Sequence, residues 1–438
     1  MIRKNSDKSN KSTSFLELND ALNKISPDGG LIEDVTYTRI DEWISTGSYI
    51  LNACISGSLF GGMPNRRSLL LAGVNSTGKS YLALSICRNA QSMGYNVIYV
   101  DTEGAIDDEF VKRLGIDTSK FRVEPINTIE KFKFFAANLN KYMSECRESG
   151  KEVPKVILVL DSLGNLSSEK ERTDAQDQNE KRDMTKQQGV RGMFRVNGLD
   201  FAINGIPFII IGHTYEKTNS YIPGQEISGG GGPKYNASIS LMLTISKMDD
   251  KESEEHNKKT NVNSTKVGVV VTVTPVKQRF ARPIKVQFHI PFYKKPNSYV
   301  GLESFVSWDA CGIMRGKAIS EKEYNRLNPE EQKICREFDF KQPKKDGIED
   351  IIKMYAMPKD TSRTLVCKHL NGEIPLVELF TDKVFTQDVL KQLDDNAIKP
   401  TFMLPSINSL DDLVEITEEL TTDDDHLEKE KIETENEG

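Results

Sequence analysis

The stretch from Ser68 to Ser80, SLLLAGVNSTGKS, constrains the fold of this 438-residue chain more than any other part of it. A short apolar run leads into Gly73, and the eight residues to Ser80 satisfy the pattern G-x-x-x-x-G-K-[ST] of a phosphate-binding loop. The two glycines let backbone N–H groups converge on phosphate oxygens, and a helix predicted from Tyr81 adds its positive N-terminal end. The stretch therefore predicts a strand, a nucleotide-binding loop and a helix, in that order.

The pattern assigns a role to each residue of the loop. The predicted nucleotide contacts are Gly73, Val74, Asn75, Ser76, Thr77, Gly78, Lys79 and Ser80. Lys79 is predicted to reach the β- and γ-phosphates and to act in catalysis, and the Ser80 hydroxyl is predicted to hold Mg²⁺. A glycine-rich turn that binds nothing is the alternative.

A second apolar run ends in an acid. Val156 to Leu160 is continuously hydrophobic and is closed by Asp161, which is typical of a parallel strand covered on both faces. Downstream of a phosphate loop, this pattern predicts that Asp161 holds Mg²⁺ through water, with Ser80 as the direct ligand. A strand that merely ends in a capping aspartate is the alternative.

Composition indicates a globular protein. Hydrophobic residues make up 37% of the chain and charged residues 28%. No run approaches the roughly 18 apolar residues of a membrane helix, and the N-terminus lacks the apolar core of a secretion signal. The six cysteines and five histidines are scattered, which favours reduced thiols and disfavours a zinc site. We expect a cytoplasmic protein.

Charge is distributed unevenly along the chain. Residues 411–437 contain thirteen Asp or Glu against Lys429 and Lys431, a net charge of −11, so the rest of the −7 chain carries about +4. An acidic segment attached to a mildly basic body indicates either a solubilising appendage or an internal competitor for a polyanion.

The N-terminal region predicts one short helix. Residues 1–13 are polar and predicted to be disordered. Phe15, Leu18, Leu22 and Ile25 then recur at helical spacing, which predicts an amphipathic helix over 14–24. So short a helix is marginal alone, so its apolar face needs a partner, either its own core or a neighbouring subunit.

Several further segments resemble a known family. They are Ile44–Ser48, Gly61–Pro64, Tyr99–Asp107, Leu160–Leu166, Gly212–Glu216, Gly229–Pro233 and Lys277–Arg279. In order and character these segments, over roughly residues 35–300, resemble the RecA family of homologous recombinases, and most closely its branch from T4-like phages. The resemblance implies an α/β fold, a RecA-like P-loop NTPase core with a mostly parallel sheet.

The resemblance also implies a domain organisation. Residues 1–34 are predicted to form an N-terminal tail and oligomerisation helix, and 35–300 the ATPase core. A small α+β C-terminal domain, rich in short charged helices, is predicted over 301–408, followed by an acidic disordered tail over 409–438.

The same resemblance implies catalytic roles. Glu103 looks like the catalytic glutamate, with one more surface acid as the alternative. His213 looks like the residue that touches the γ-phosphate while its backbone steers the following loop, with a buried, satisfied histidine as the alternative. Lys277 and Arg279 resemble a basic pair that contacts ATP of the neighbouring subunit. Phe110 is a candidate for stacking on adenine, and core packing is equally compatible with its position.

The predicted DNA contacts follow two strands of the sheet. The candidates are Lys186, Arg191 and Arg195, with Arg195 first, and Gly229, Gly230, Gly231 and Gly232 in the glycine-rich end of a loop. Because ligands of parallel sheets sit at the carboxyl ends of the strands, we expect nucleotide and DNA at one edge. A solvated helix face is the alternative for the basic residues.

Together the residues and the resemblance imply an ATP-dependent DNA recombinase. It would be a DNA-dependent ATPase that forms helical filaments on single-stranded DNA and catalyses homologous pairing and strand exchange in recombination and repair. The implied cofactors are ATP and Mg²⁺. The implied partners are single-stranded and double-stranded DNA, further copies of the chain, and single-strand-binding and loader proteins, with no membrane. Two alternatives stay open: a hexameric RecA-fold DNA helicase, and a nucleotide-regulated DNA-binding scaffold without turnover.

Overall fold

The structure is a computed structural model that describes most of the chain. The described residues are 14–26, 29–177, 186–216, 225–227, 231–247, 268–292, 295–343, 349–358, 364–367, 377–378, 381–382 and 384–405. The predicted N-terminal tail over 1–13, Gly229, Gly230 and the acidic tail over 409–438 lie outside these residues.

Strands and helices alternate through the first two thirds of the chain. The strands are β1 (Trp43–Ile44), β2 (Met63–Pro64), β3 (Ser68–Gly73), β4 (Asn96–Asp101), β5 (Phe121–Glu124), β6 (Val156–Asp161), β7 (Phe208–Glu216), β8 (Gln225–Ile227), β9 (Ile239–Lys247), β10 (Gly268–Lys277), β11 (Val286–Pro291), β12 (Ile313–Ser320), β13 (Arg336–Pro343), β14 (Glu349–Pro358), β15 (Thr364–Cys367) and β16 (Val377–Glu378). The helices are α1 (Phe15–Ile25), α2 (Tyr49–Ser56), α3 (Lys79–Ser92), α4 (Asp108–Arg113), α5 (Ile129–Glu148), α6 (Glu169–Gln176), α7 (Lys186–Ile203), α8 (Gly231–Asn236), α9 (Trp308–Cys311), α10 (Glu321–Tyr324), α11 (Pro329–Ile334), α12 (Gln387–Leu393) and α13 (Lys399–Phe402). Within the described part of the chain, no helix is long and apolar enough to cross a bilayer.

One large sheet organises the core. Its strands are hydrogen-bonded in the order β11-β10-β9-β3-β7-β6-β4-β5, and β8 pairs with β7. Neighbours from β9 to β5 in this order are parallel, whereas β10, β11 and β8 pair antiparallel. The prediction of a RecA-like α/β core with a mostly parallel sheet is confirmed.

The central strands bury both faces, as their apolar runs predict. In β6, Ile157 and Val159 belong to one hydrophobic cluster, whereas Leu158 and Leu160 belong to the other. Successive side chains of a strand point to opposite faces, so a continuous apolar run fills two cores. The second core is completed by α5 and α7, which pack against each other.

The N-terminal helix forms where its spacing predicts. At the start of α1, the Ser14 hydroxyl accepts a hydrogen bond from the Glu17 N–H at 3.2 Å, and the Glu17 carboxylate accepts one from the Ser14 N–H at 3.1 Å. This capping box satisfies two N–H groups that the helix cannot pair internally. No residue of α1 is buried, so its apolar side chains are exposed.

Beyond residue 300 the structure differs from the predicted run of short helices. A five-stranded antiparallel sheet has the order β13-β14-β12-β15-β16, with α10 and α11 beside it. The rings of Tyr324 and Tyr355 stack with centroids 3.8 Å apart. These strands carry many charged residues on exposed faces, and that charge hides their alternation in the sequence.

Chain segments on both sides of this small sheet pack into the large core. Buried residues from 302–313 and from 384–402 belong to the same hydrophobic cluster as α2 and α3. Tyr49 of α2 stacks on Tyr299, and Tyr299 stacks on Phe385. The domain boundary near residue 300 stays a prediction.

Asp394 fixes the returning segment to the core. Its carboxylate is 1% exposed and accepts hydrogen bonds from the Ser58 hydroxyl and the Leu59 N–H, both at 2.7 Å. The Lys399 ammonium lies 3.3 Å from the same carboxylate. The acid therefore satisfies donors that are 335 or more positions away in the chain.

We predict that Asp394→Ala lowers the free energy of unfolding by about 1–3 kcal/mol for each buried donor left without its acceptor. The matched control is Asp395→Ala, which removes the exposed neighbouring carboxylate that also pairs with Lys399. This control should change stability by less than about 0.5 kcal/mol. Denaturant unfolding of both variants measures the difference, and equal effects would contradict the role of Asp394.

Candidate functional site

The predicted phosphate loop joins β3 to α3 and forms one wall of a cavity of about 960 Å³. Two glycines of the loop have no room for a side chain. A Cβ on Gly73 would lie 2.5 Å from the Leu243 carbonyl oxygen, and Gly78 has φ +84° with its Cβ position 2.4 Å from Ile290 Cδ1. The sequence thus folds the loop into a cradle that only glycine permits at these points. Its shape fits a phosphate group.

The lysine of the loop is folded back across this cradle. Lys79 Nζ donates to the carbonyl oxygens of Gly73 at 3.0 Å and Val74 at 2.7 Å, and the residue is only 5% exposed. Burial lowers the pKa of Lys79, while the carboxylates of Asp161 and Glu103 act to raise it. The ammonium therefore lies at the cavity wall, on weak neutral acceptors that a phosphate oxygen can replace.

The two predicted Mg²⁺ residues are brought together. The Ser80 hydroxyl forms a hydrogen bond with the Asp161 carboxylate, and the Tyr99 hydroxyl donates to the same carboxylate. Burial raises the pKa of Asp161, and these two hydrogen bonds offset part of that rise. Hydroxyl and carboxylate oxygens are ligands that Mg²⁺ prefers, and a cation here would compensate the poor hydration of the carboxylate. The donor set fits Mg²⁺.

Glu103 and His213 meet at the same edge of the sheet, with Ser162 between them. Ser162 Oγ donates to Glu103 Oε1 at 2.8 Å, and His213 Nε2 lies 3.1 Å from both of these oxygens. Burial acts to raise the pKa of Glu103, but the hydrogen bonds from Ser162 and His213 outweigh it and hold the pKa below its ordinary value. The carboxylate is therefore ionised at neutral pH.

Asp101, at the end of β4, holds the turn that carries Glu103. One carboxylate oxygen of Asp101 accepts from the N–H groups of Glu103, Gly104 and Ala105 at 2.8 to 3.3 Å, and the other accepts from Ile106 at 3.2 Å. Four donors on one carboxylate fix the backbone of the turn. The sequence analysis assigned no role to Asp101 or to Ser162. Asp101 is the last residue of the strand before Glu103, and Ser162 directly follows Asp161.

The structure leaves some predicted residues away from this cavity. Phe110 lies on α4, is 38% exposed and is absent from the described lining of the cavity, so its contact with adenine stays a prediction. Lys186 pairs with Glu171 at 3.3 Å. Arg191 packs against α8, where a Cβ on Gly232 would lie 2.9 Å from Arg191 Cγ. Arg191 and Gly232, two of the predicted DNA contacts, are thus neighbours.

Arg195 and Arg279 line a second cavity, of about 510 Å³, which we call the arginine cavity. Arg66 and Arg67 also line it, and burial followed by the charges of Arg279 and Arg66 lowers the pKa of Arg67. The arginine cavity adjoins the first residues of β3 and β7, whereas the phosphate loop follows the last residue of β3. Arg195 is therefore not at the nucleotide edge where the sequence reasoning expected it.

Lys277 lies at the end of β10, near the arginine cavity. Its register partner is Ser240, close to the first residue of β9, and its ammonium lies 3.5 Å from the Lys234 carbonyl oxygen. Burial and the charge of Arg279 lower the pKa of Lys277. The two predicted contacts to a neighbour's ATP therefore share one end of the sheet.

Comparison with known proteins agrees with this architecture. The family described as RecA N-terminal domain matches residues 29–295, well over half of the chain. The chain belongs to the RecA family.

Individual relatives include phage and bacterial proteins. The chain is 29% identical over 213 residues to the "Recombination and repair protein" of Enterobacteria phage T4, UvsX, across 48% of this chain and 50% of that protein. It is 26% identical over 263 residues to "Protein RecA" of Phytoplasma mali, across 59% of this chain and 70% of that protein. With "Protein RecA" of Acidothermus cellulolyticus it shares 38% identity over 87 residues, 20% of this chain and 24% of that protein. The chain thus spans about half the length of the T4 protein. The predicted resemblance to the RecA family and its T4-like branch is confirmed.

We predict that Asp101→Ala slows the nucleotide hydrolysis expected from the sequence on the order of 10²-fold in kcat, because the turn that positions Glu103 loses its four-donor anchor. KM for ATP should change little, since the phosphate loop is untouched. The matched control is Asp108→Ala, which removes an exposed carboxylate of α4 paired with Lys112. Steady-state kinetics measures both variants, and equal kcat values for them would contradict the anchoring role.

Proposed function

We propose that the chain is an ATP-dependent DNA recombinase that assembles on single-stranded DNA as a helical filament and exchanges it with a homologous duplex in recombination and repair. One observation carries the proposal: two cavities lie at opposite ends of the same parallel strands. One is the cavity of about 960 Å³ beside the phosphate loop, which we call the nucleotide cavity, and the other is the arginine cavity.

This separation favours a head-to-tail assembly. Six residues of β3 span about 20 Å, so Arg279 of a subunit is far from that subunit's own phosphate loop. The cations at one end of a subunit are complementary to the nucleotide site at the other end. A contact between two subunits would therefore join two different surfaces. Such contacts repeat from subunit to subunit and give open filaments unless the rotation closes into a ring.

The N-terminal helix supports the same assembly. Phe15, Leu18, Leu22 and Ile25 of α1 are between 48% and 79% exposed, and none is covered by the core of its own chain. An exposed apolar stripe on a capped helix gains free energy when a neighbour covers it. Of the two partners left open by the sequence, we infer that a neighbouring subunit covers this stripe.

The nucleotide cavity contains the groups that ATP hydrolysis requires. Backbone N–H groups of the loop and Lys79 would bind the phosphates of ATP, with Ser80 as the direct ligand of Mg²⁺ and Asp161 holding it through water. When bound, Mg²⁺ neutralises phosphate charge. Glu103 orients the attacking water by accepting its hydrogen bond, work for which its lowered pKa suits it because the carboxylate stays ionised. His213 is placed to sense the γ-phosphate.

We infer that DNA contacts arise from Lys186, Arg191 and Arg195 together with the glycines at 229–232. Arg191 and Gly232 are in contact, which supports a common surface of α7 and α8. Double-stranded DNA binds the same filament during pairing. Single-strand-binding and loader proteins are the expected accessory partners.

Two alternatives make different assemblies. A hexameric helicase would close into rings, and a scaffold without turnover would bind nucleotide and DNA without hydrolysis. The names of these relatives, a recombination and repair protein and two RecA proteins, favour the recombinase. Electron microscopy with single-stranded DNA and a slowly hydrolysed ATP analogue tests this directly. Extended filaments are expected, whereas closed rings or isolated particles would refute the proposal.

We predict that Lys79→Ala abolishes ATP-dependent binding to single-stranded DNA and leaves the fold intact. The substitution removes a charge from the cavity wall. Fluorescence anisotropy of labelled DNA measures binding, and circular dichroism checks the fold. Normal ATP-dependent binding by this variant would contradict the assignment of the loop.

We predict that mixing Lys277→Ala with Glu103→Gln partly restores ATP turnover that neither variant shows alone. In an equal mixture, about a quarter of head-to-tail interfaces would combine an intact Glu103 with an intact Lys277. The control mixture is Lys277→Ala with Arg279→Ala, whose defects lie on the same side of the interface. Restoration in neither mixture would mean that these cations act within their own subunit.

A further inference from the structure

The hydroxyl of Ser162 lies where three strands of the nucleotide edge meet. In the sheet β6 is between β7 and β4, so the residue after β6 is flanked by His213 on one side and Glu103 on the other. Ser162 Oγ, Glu103 Oε1 and His213 Nε2 form a triangle with sides of 2.8, 3.1 and 3.1 Å. We call these three side chains the edge triangle.

Ser162 is the fixed corner of the edge triangle. It is 0% exposed, whereas the side chains of Glu103 and His213 are 33% and 30% exposed. Its backbone is held on both sides by Thr102, whose hydroxyl accepts from the Ser162 N–H at 2.8 Å and lies 2.9 Å from the Ser162 carbonyl oxygen. The backbone of Ser162 is therefore fixed, whereas its two partners are partly exposed.

Without the Ser162 hydroxyl, Glu103 and His213 would form a partly solvated pair. Such pairs are worth little, because water competes for both members and long side chains lose entropy when they are held together. A buried hydroxyl that donates to the carboxylate and accepts from the imidazole adds the strength of a charge-assisted hydrogen bond.

We propose that Ser162 is a positioning residue that restrains Glu103 beside His213, so that hydrolysis becomes efficient only when His213 is drawn away. The inference rests on the proposed function, in which His213 senses the γ-phosphate and begins the segment that leads to the DNA-binding glycines. Oε1 of Glu103 contacts the Ser162 hydroxyl after β6 and the His213 ring on β7, so this oxygen is less available to a water in the cavity. When His213 moves away, Oε1 of Glu103 loses one of its two contacts, and the carboxylate can turn toward the phosphates.

The proposal makes Ser162 a restraint on turnover in the absence of DNA, because DNA bound by the segment that follows His213 would draw His213 away from Glu103. Replacing the hydroxyl should raise the DNA-independent rate, because Glu103 is no longer held back. The stimulation by DNA should fall correspondingly, since much of the stimulation consists of removing this restraint. A structural role alone would instead lower both rates together.

The test compares Ser162→Ala with Ser85→Ala. Ser85 also donates one hydrogen bond of 2.8 Å, to the Thr46 carbonyl oxygen, but it is not part of the edge triangle. Steady-state ATP hydrolysis is measured with and without single-stranded DNA. For Ser162→Ala we expect kcat without DNA to rise on the order of tenfold with little change in KM, and the ratio of the two rates to fall. Ser85→Ala should keep the ratio of the unmodified chain.

A second readout uses the nucleotide-free protein. The chain has five histidines, and the ¹⁵N ring signals of His213 are assigned by their loss in His213→Gln. These signals should shift in Ser162→Ala and stay in place in Ser85→Ala. This measurement does not depend on turnover, so it tests the edge triangle even if the unmodified chain hydrolyses no ATP. An absence of ATP hydrolysis in the unmodified chain would refute the proposed function instead.

Either of two results would overturn the proposal: unchanged His213 signals in Ser162→Ala, or equal loss of the DNA-dependent and DNA-independent rates in a folded variant. Ser162→Cys is measured in parallel, because a thiol is a much weaker hydrogen-bond donor than a hydroxyl and does not leave the cavity that Ser162→Ala would create. It should behave as Ser162→Ala does. A Cys variant with the rates and signals of the unmodified chain would contradict a role for the hydroxyl.

Discussion

The parallel register of β3, β7, β6 and β4 is the constraint on which the nucleotide cavity depends. It pairs Gly73 with His213 and Asp101 with Asp161, so groups from distant parts of the chain end at one edge. Because the side chains of a strand alternate between faces, a slip of one residue would move these groups to the wrong side of the sheet and disturb the packing of both apolar clusters. The same burial that stabilises the sheet therefore fixes the positions of the reactive groups.

At that edge two carboxylates experience opposite environments. Burial dominates at Asp161 and raises its pKa, whereas hydrogen bonds from Ser162 and His213 dominate at Glu103 and lower its pKa. A divergence of this kind separates the roles of neighbouring acids. Asp161 gains most from a nearby cation, and Glu103 stays charged and partly solvated, which suits a group that must move between partners.

The sequence predicted what is encoded within one continuous segment. The loop from Gly73 to Ser80, the strand before Asp161 and the helix α1 all have local signatures, and the structure confirms the apolar strand, the glycine-dependent loop and the helix. The family match also confirms the resemblance.

Features that depend on pairing between distant segments were not predictable in this way. The edge triangle needs the strand order, which no single segment specifies. Arg195 lies at the opposite end of the strands from the phosphate loop, because the length of α7 carries it back across the sheet. The α+β class of the C-terminal region was predicted, but the positions of β12 to β16 were not, because they depend on pairing between distant segments that outweighs local propensity.

The return of residues 384–402 to the large core gives the small sheet an attachment at each of its two ends. The sheet from β12 to β16 leaves the core after Ile313, and the chain rejoins the core at Val384. A lobe on one flexible linker can swing in any direction, whereas a lobe with two anchors can only rock about the line that joins them. Asp394 and Phe385, which stacks on Tyr299, belong to the returning segment. The small sheet is therefore joined to the core on both sides, and a displacement of this sheet would act on both of the segments that pack with α2.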